Sequence, residues 1–301
     1  MGGHLLPMLA ARGHNAFGIV RRGEALGFRA VGAIDGRTDW SAALRGVEVV
    51  VHCAARAHVM QERVADPAAA YREVNVEGTR RLAQQAALAG VRRLVFLSSV
   101  KAVGERSSPG RPLVVSDEPR PEDAYGTSKR DAEIVLAGVA ASTGLETVIV
   151  RPALVYGPEA KGNFLRLLSL VARRVPLPLG AVHNARSLVS IGNLSDLLCL
   201  CVDSSAAAGK TFFASDGEDL STTALIRRIG EVMGRPALLF PVPESMLHIL
   251  GRWAGRSSEI ERLIGTLQVD ISPNRSLLGW VPPLSVDVGL RQTVEWFGGL
   301  E

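Results

Sequence analysis

The sequence predicts an α/β protein built on a doubly wound parallel sheet, and two observations carry this prediction. Short, mostly apolar segments rich in Val and Ile alternate in the first half of the chain with longer segments of helical spacing. Strands that are apolar on both faces are typical of a parallel sheet covered by helices on either side. The predicted strands are 16–20, 47–53, 93–97 and 147–150, and the predicted helices include 68–89 and 128–143.

The chain opens on a predicted helix that leads into the first of these strands. Leu5, Leu6, Leu9 and Ala10 form an apolar stripe at helical spacing, and Gly13 ends the helix. The segment therefore has the order helix, then strand.

The second half of the chain has a different sequence pattern, because prolines separate short segments of mixed polarity. This pattern predicts a smaller lobe that closes over the carboxyl edge of the sheet, where ligands of α/β proteins bind. We divide the chain into a sheet domain, 1–155, and a lobe that mainly binds substrate, 156–301. Strand 186–192 is expected to return to the sheet domain. The clustered prolines are Pro176, Pro178, Pro236, Pro241, Pro243, Pro273, Pro282 and Pro283.

Composition excludes several classes of protein. Of the 301 residues, 47% are hydrophobic and 21% charged, which is ordinary for a globular chain and argues against disorder. The apolar segment 165–182 is interrupted by arginines and is too polar to span a membrane. The sequence shows no secretory signal, so we expect a cytoplasmic protein.

Charge and cysteine usage narrow the choice of partner. The net charge of +4 comes from scattered arginines without interleaved aromatic residues. This disfavours nucleic-acid binding and is compatible with an anionic small-molecule substrate. Cys53, Cys199 and Cys201 lie in apolar segments without metal-ligand or redox spacing, so we expect buried thiols and no metal site.

The segment YGTSK places Tyr125 and Lys129 one helical turn apart, with their Cβ atoms about 5 to 6 Å from each other. A cation so placed favours the phenolate and is expected to lower the pKa of Tyr125, which suits the pair to proton transfer. Ser98 and Ser99 follow predicted strand 93–97 at the carboxyl edge of the sheet. Ser99 can hydrogen-bond a substrate oxygen there; the alternative, that the serines only turn the chain, applies more to Ser98.

An ordered series of segments resembles the extended short-chain dehydrogenase/reductases, and among them the NAD-dependent epimerase/dehydratase family that acts on nucleotide sugars. The resemblance covers nearly the whole chain. It implies that 1–155 is a Rossmann-like NAD(P)-binding domain and that the substrate is a UDP-sugar. The segments are VVVHCAA, VNVEGTRRL, LSSVKAVG, YGTSK, RPALVYGP, RSLVSIGNLSDL and LLGWVPPLSVDVGL.

The resemblance also implies a catalytic set. Tyr125 is the acid/base, and Lys129 holds the ribose of the nicotinamide nucleotide and lowers the pKa of the tyrosine. Ser99 shares the proton at the substrate oxygen.

Further residues are implied to bind cofactor or substrate. Asn75 lies near the cofactor, while Ala54 and Ala55 let its pyrophosphate and ribose approach the backbone. Arg186 pairs with substrate phosphate, as guanidinium geometry allows, and Asn163 contacts the sugar nucleotide. A surface salt bridge and a turn cap are the respective alternatives for these last two.

Departures from the family pattern restrict the activity. Where dehydratases carry Asp-Glu after the catalytic hydroxyl, this chain has Val100 and Lys101, so we do not expect dehydration. The acidic residue that contacts adenine is replaced by Ala33, and Asp35 is not assumed to substitute for it. Arg21 and Arg22 follow the strand at 16–20, where Asp or Glu suits NAD(H) and Arg suits a 2′-phosphate, so we favour NADP(H) over NAD(H).

Two hydride-transfer reactions at C4 fit the same catalytic set. We favour reduction of a UDP-4-keto-6-deoxy-N-acetylhexosamine. Three features support this: the pair Arg21 and Arg22, Lys101, and the likeness to enzymes that make sugars of the O-antigen and hence of lipopolysaccharide. The alternative is a UDP-glucose or UDP-N-acetylglucosamine 4-epimerase. An alternative from another class is a non-catalytic NAD(P)-binding module, which the joint presence of Ser99, Tyr125 and Lys129 disfavours.

Two further expectations come from the resemblance. A homodimer would form through the helix of Tyr125 and the one before it; its apolar face could equally serve the monomer core and comprises Ala132, Val135, Leu136 and Val139. Gly2 matches the last glycine of a Gly-x-x-Gly-x-x-Gly turn whose preceding strand and two glycines are absent from the sequence. We expect the in-frame codons upstream to encode them; otherwise the product should bind cofactor weakly.

Overall fold

The computed structural model describes residues 1–23, 27–57, 65–160 and 162–299. The strands are β1 (Gly18–Val20), β2 (Phe28–Ala30), β3 (Val49–His52), β4 (Arg93–Leu97), β5 (Glu146–Pro152), β6 (Leu154–Tyr156), β7 (Arg186–Ser190), β8 (Thr211–Ala214) and β9 (Asp219–Leu220). The helices are α1 (Gly2–Ala11), α2 (Ser41–Leu44), α3 (Pro67–Tyr71), α4 (Gly78–Leu88), α5 (Ala124–Thr143), α6 (Asn163–Ala172), α7 (Ile191–Asp203), α8 (Thr222–Val232), α9 (Glu244–Trp253), α10 (Ser257–Ile264), α11 (Ser272–Leu278) and α12 (Val286–Gly298). A π-helical stretch, Arg72–Glu77, joins α3 to α4.

The central sheet is parallel and has the order β3-β4-β5-β8 among the described strands. Val95 of β4 stands opposite Val51 of β3 and Val148 of β5, which sets the register. β1 and β2 pair in parallel as a separate two-stranded sheet. The predicted α/β class is therefore confirmed, and all four predicted strands are present: β4 has the predicted bounds, β1 and β3 are shorter, and β5 is longer.

Helices cover both faces of this sheet, as a doubly wound fold requires. Along β4, Val95 belongs to a core with α1 and α7, whereas Leu94 and Phe96 belong to a core with α4 and α5. The alternation follows from the period of two in a strand. Cys199 and Cys201 of α7 are buried, as predicted.

The second lobe has its own apolar core, which includes Phe164, Leu168, Leu188, Ile226 and Leu290. The expectation for 186–192 needs correction: β7 pairs with β6 and β9 rather than with the central sheet, and at residue 191 the chain enters α7. α7 packs back onto the central sheet, and Val189 of β7 belongs to the same core. The division at residue 155 stays a prediction.

Of the two roles predicted for the apolar face of α5, the structure has the one in the monomer core. Ala132, Leu136 and Val139 are buried in the core between α5 and the sheet. The apolar side chains that these two helices expose are instead Leu88, at 88%, and Ile134, at 54%. No described helix is long and apolar enough to cross a membrane.

Candidate active site

The candidate site lies where β4 ends and α5 begins. Asp123 caps α5, its Oδ1 accepting a hydrogen bond from the amide of Gly126 at 2.7 Å. This fixes the first turn of the helix, on which Tyr125 sits. Ser99 lies in the turn after β4, and its hydroxyl accepts from the amide of Lys101 at 3.2 Å. The fold thus brings the predicted Ser99 and Tyr125 together, and their hydroxyls are hydrogen-bonded.

The predicted lowering of the Tyr125 pKa is wrong in this structure. Burial raises the pKa of Tyr125 to about 12; the hydrogen bond with Ser99 opposes the rise, and the nearby Asp123 and Tyr71 add to it. The ring of Tyr71 meets that of Tyr125 edge-on, with 6.1 Å between centroids. The charge of Lys129 is directed elsewhere, so it does not offset desolvation of the phenolate.

The side chain of Lys129 reaches the carboxyl end of β4. Its ammonium donates to the carbonyl oxygen of Leu97 at 2.7 Å and lies 4.4 Å from the centroid of the Phe96 ring. Burial lowers the pKa of Lys129 to about 8, while Cys53 and Glu133 act in the opposite direction. An ammonium has three N–H donors, so Lys129 can bind a carbonyl and ligand hydroxyls at once.

Ser98 has a structural role different from that of Ser99. Its hydroxyl donates to Glu133 of α5, whose carboxylate is 2% exposed and binds Nε and Nη2 of Arg151 at 3.0 and 2.7 Å. This buried ion pair joins α5 to β5 directly behind Lys129. The alternative that Ser98 only turns the chain did not include this contact with the ion pair.

Asn75 holds the loop after β3. It lies buried in the π-helical stretch, where it binds the backbone of Arg56 and donates to the hydroxyl of Ser128 at 2.9 Å. Ala54 and Ala55 precede Arg56 in this loop, at the same sheet edge as Lys129. The amide thus positions the loop, and its proximity to a cofactor stays a prediction.

The remaining predicted cofactor-binding residues lie at the start of α1 and after β1. Gly2 is the first residue of α1, and there is open space within 4 Å of where its Cβ would stand. Arg21 and Arg22 follow β1 and are exposed. The carboxylate of Asp35 accepts a hydrogen bond from the amide of Arg37 within its own turn, so it has a local structural role.

Arg186 enters from the second lobe at the start of β7. Its Nη1 donates to the carbonyl of Gly265 at 2.9 Å; burial lowers its pKa, Glu105 opposes this, and Arg262 adds to it. Arg262 on α10 lies with its Nε 3.6 Å from Glu105. Sequence reasoning missed Arg262, because no motif marks it. Asn163 is exposed and is the first residue of α6, after Gly162.

Lys101, at the position of the dehydratase glutamate, is held by two carboxylates. Its ammonium lies 2.6 Å from Oδ2 of Asp123 and 2.7 Å from Oε1 of Glu105. A cation paired in this way cannot act as the base that dehydration needs. The site therefore offers proton transfer through a hydroxyl pair next to a buried ammonium.

The residues present fit a dinucleotide. Small side chains follow β3, the open amino end of α1 suits a phosphate, and the Lys129 ammonium suits ribose hydroxyls. Among the described residues, no group of three or more His, Cys, Asp or Glu side chains is placed to hold a metal ion.

Comparison with known proteins defines the class. The chain matches the model of the NAD dependent epimerase/dehydratase family over residues 1–212, and the protein belongs to that family of short-chain dehydrogenase/reductase enzymes. A UDP-glucose 4-epimerase of Vibrio cholerae is 46% identical over 268 residues, covering 89% of this chain and 82% of that protein. An N-acetyl-alpha-D-glucosaminyl-diphospho-ditrans,octacis-undecaprenol 4-epimerase of Escherichia coli O157:H7 is 28% identical over 272 residues, covering 84% and 78%.

Solved structures share the fold at lower identity. The crystal structure of a UDP-glucose 4-epimerase of Thermotoga maritima with UDP-glucose has a TM-score of 0.78 at 20% identity, covering 100% of this chain and 96% of that one. MoeE5 in complex with UDP-glucuronic acid and NAD has a TM-score of 0.79 at 23% identity, with the same coverage. The protein is thus an enzyme of the NAD dependent epimerase/dehydratase family, and the solved structures share its α/β fold.

Proposed function

We propose that the protein is an NAD(P)-dependent UDP-hexose 4-epimerase acting on UDP-glucose or UDP-N-acetylglucosamine. One observation carries the proposal: the Ser99 and Tyr125 hydroxyls are paired beside a buried Lys129, in a chain 46% identical to a UDP-glucose 4-epimerase. The dinucleotide, when bound, supplies a reversible hydride acceptor for C4 of the sugar.

The chain's own residues handle the proton. Tyr125 exchanges a proton with the 4-hydroxyl oxygen, and Ser99 donates a hydrogen bond to that oxygen while the carbonyl character develops. At neutral pH a phenol with a pKa of about 12 is protonated, which suits the step that returns a proton to the sugar oxygen. Removal of the proton from the 4-hydroxyl needs the phenolate, which the hydrogen bond with Ser99 favours.

Two groups support a diphosphate-bearing substrate. Arg186 and Arg262 approach each other from β7 and α10, and both face Glu105. Guanidinium groups bind diphosphate oxygens in a bidentate manner, so the cluster suits the UDP moiety. Asn163 at the start of α6 is proposed for the sugar nucleotide, as the resemblance implies.

The relatives support epimerisation better than the reduction that the sequence favoured, since two of them are named 4-epimerases. The predicted preference for NADP(H) rests on Arg21 and Arg22 alone, whereas the family is named for NAD. Membership of an enzyme family argues against the non-catalytic module.

The proposal is tested by product analysis. The purified protein should convert UDP-glucose or UDP-N-acetylglucosamine into its C4 epimer without net consumption of NAD(P)H. Tyr125→Phe should lower turnover by about 10²-fold or more while thermal unfolding stays cooperative. Steady consumption of NAD(P)H with a 4-keto sugar, and no epimer from either UDP-sugar, would instead support the reductase.

A further inference from the structure

Lys101 connects the two sides of the hydroxyl pair. Its backbone amide donates to Ser99, and its ammonium binds Asp123, the cap of the helix that carries Tyr125. Its carbonyl oxygen lies 2.5 Å from where a Cβ of Gly126 would stand, so backbone as well as side chain packs against the first turn of α5. Lys101 is 20% exposed, which leaves its ion pairs partly shielded from water.

Asp123 acts on the tyrosine in two ways. As the cap it fixes the first turn of α5, and as a carboxylate it contributes to raising the pKa of Tyr125. Burial disfavours the charged form of Asp123, but the Lys101 ammonium and the Gly126 amide outweigh it and hold the pKa of Asp123 below its usual value. The negative charge beside the tyrosine is therefore present at neutral pH, and Lys101 compensates it.

Glu105 extends this chain of charges to the second lobe. One of its oxygens binds Lys101, and the other faces Arg262, beside Arg186. A continuous series of opposite charges thus leads from the arginine cluster to the cap of α5.

We propose that Lys101 is a positioning residue for Tyr125: it neutralises the capping carboxylate of α5, holds that cap against the Ser99 turn, and ties both through Glu105 to the arginines of the second lobe. This inference rests on the proposed function, since it takes Tyr125 as the acid/base. The other groups that act on Tyr125 are Ser99 and Tyr71 of α3, and Arg56 lies beside the ring of Tyr71.

The test is the pH dependence of kcat/KM for epimerisation. Lys101→Met leaves Asp123 without its cation and Glu105 with Arg262 alone, so the limb on which activity rises with pH should shift upward by about one unit, with roughly tenfold lower activity at neutral pH. Asp123→Asn keeps a capping side chain without its charge and should shift the limb the other way. The double variant should return to within about threefold of the wild type.

Lys210→Met is the matched control, because it removes the same charge from an exposed lysine at the start of β8 and should leave the profile unchanged. A merely structural role would lower activity equally at all pH values. The inference is overturned if the Lys101→Met profile superimposes on the wild type, or if Asp123→Asn fails to rescue it. Full activity of Tyr125→Phe would overturn the proposed function itself, and this inference with it.

Discussion

The side-chain amide of Asn75 forms two hydrogen bonds with the backbone of one residue, Arg56, accepting from its N–H at 2.8 Å and donating to its carbonyl at 3.1 Å. Asn75 thus satisfies the backbone of the loop after β3 as a neighbouring strand would. Asn75→Ala should destabilise the protein by about 1–3 kcal/mol, because two part-buried backbone groups of Arg56 lose these hydrogen bonds. It should also weaken NAD(P) binding more than tenfold if this loop contacts the cofactor.

Urea denaturation and a cofactor titration measure the two effects separately. Asn15→Ala, at an exposed asparagine, is the control and should change neither. Unchanged stability of Asn75→Ala would contradict the role given to this amide.

The ion pair between Glu133 and Arg151 should be costly to break. Arg151→Met leaves a carboxylate that is 2% exposed with Ser98 and the more distant Arg130, 3.7 Å away, as its partners, and we expect a loss of about 3–5 kcal/mol. The surface pair of Arg120 and Glu118 has the same chemistry in water, so Arg120→Met should cause no measurable loss in urea denaturation. Equal effects of the two variants would refute the distinction.

Lys129 predicts a pH dependence of stability. Its pKa is lowered to about 8 in the folded protein from a usual value near 10.5, so the unfolded chain binds more protons between these values. Its contribution to stability should therefore rise with pH across that window, and its burial should cost most below pH 8. Between pH 8 and 10.5 the melting temperature of the wild type should rise with pH relative to that of Lys129→Met. Below pH 8 the difference between the two melting temperatures should be constant. A constant difference from pH 7 to 10.5 would contradict this.

Arg186 should control substrate affinity. Arg186→Met removes a charged donor from the proposed diphosphate site and should raise KM for the UDP-sugar roughly ten- to hundredfold, with a smaller change in kcat. Arg227→Met on the exposed side of α8 is the control. If Arg186 only supports the carbonyl of Gly265, its loss would lower the melting temperature and leave KM unchanged.

Arg21 should affect the choice of cofactor. Arg21→Asp places a carboxylate where a 2′-phosphate is predicted to lie and should weaken NADP binding more than tenfold while sparing NAD. Calorimetric titration with both dinucleotides measures this, and Arg45→Asp makes the same charge change at another exposed site. Tighter NAD than NADP binding in the wild type would show that the arginines do not select the phosphate.

The central strands and the Tyr125 helix could be predicted because their signals are local. An apolar run such as 93–97 and the helical spacing of 128–143 depend on neighbouring residues alone, and the structure has β4 at Arg93–Leu97 and α5 through Thr143. The pairing of β7 could not be predicted, because nothing in its own sequence distinguishes β6 from a central strand as its partner.

The ion pairs of the site escaped prediction for the same reason. Lys101 and Asp123 are 22 residues apart, and Arg262 meets Glu105 only through the fold. The pKa of Tyr125 was mispredicted because helical spacing shows how near Lys129 is but not how deeply the phenol is buried or where the ammonium points.

The close approach between Gly126 and the Lys101 carbonyl has a consequence for protein engineering. The loop after β4 and the start of α5 form one interlocked unit, because any side chain at position 126 would meet backbone. Neither segment can be grafted alone into a related scaffold, or varied alone in a library, without separating the two hydroxyls. Attempts to change the reaction should therefore exchange residues 98–105 and 123–129 as a single cassette.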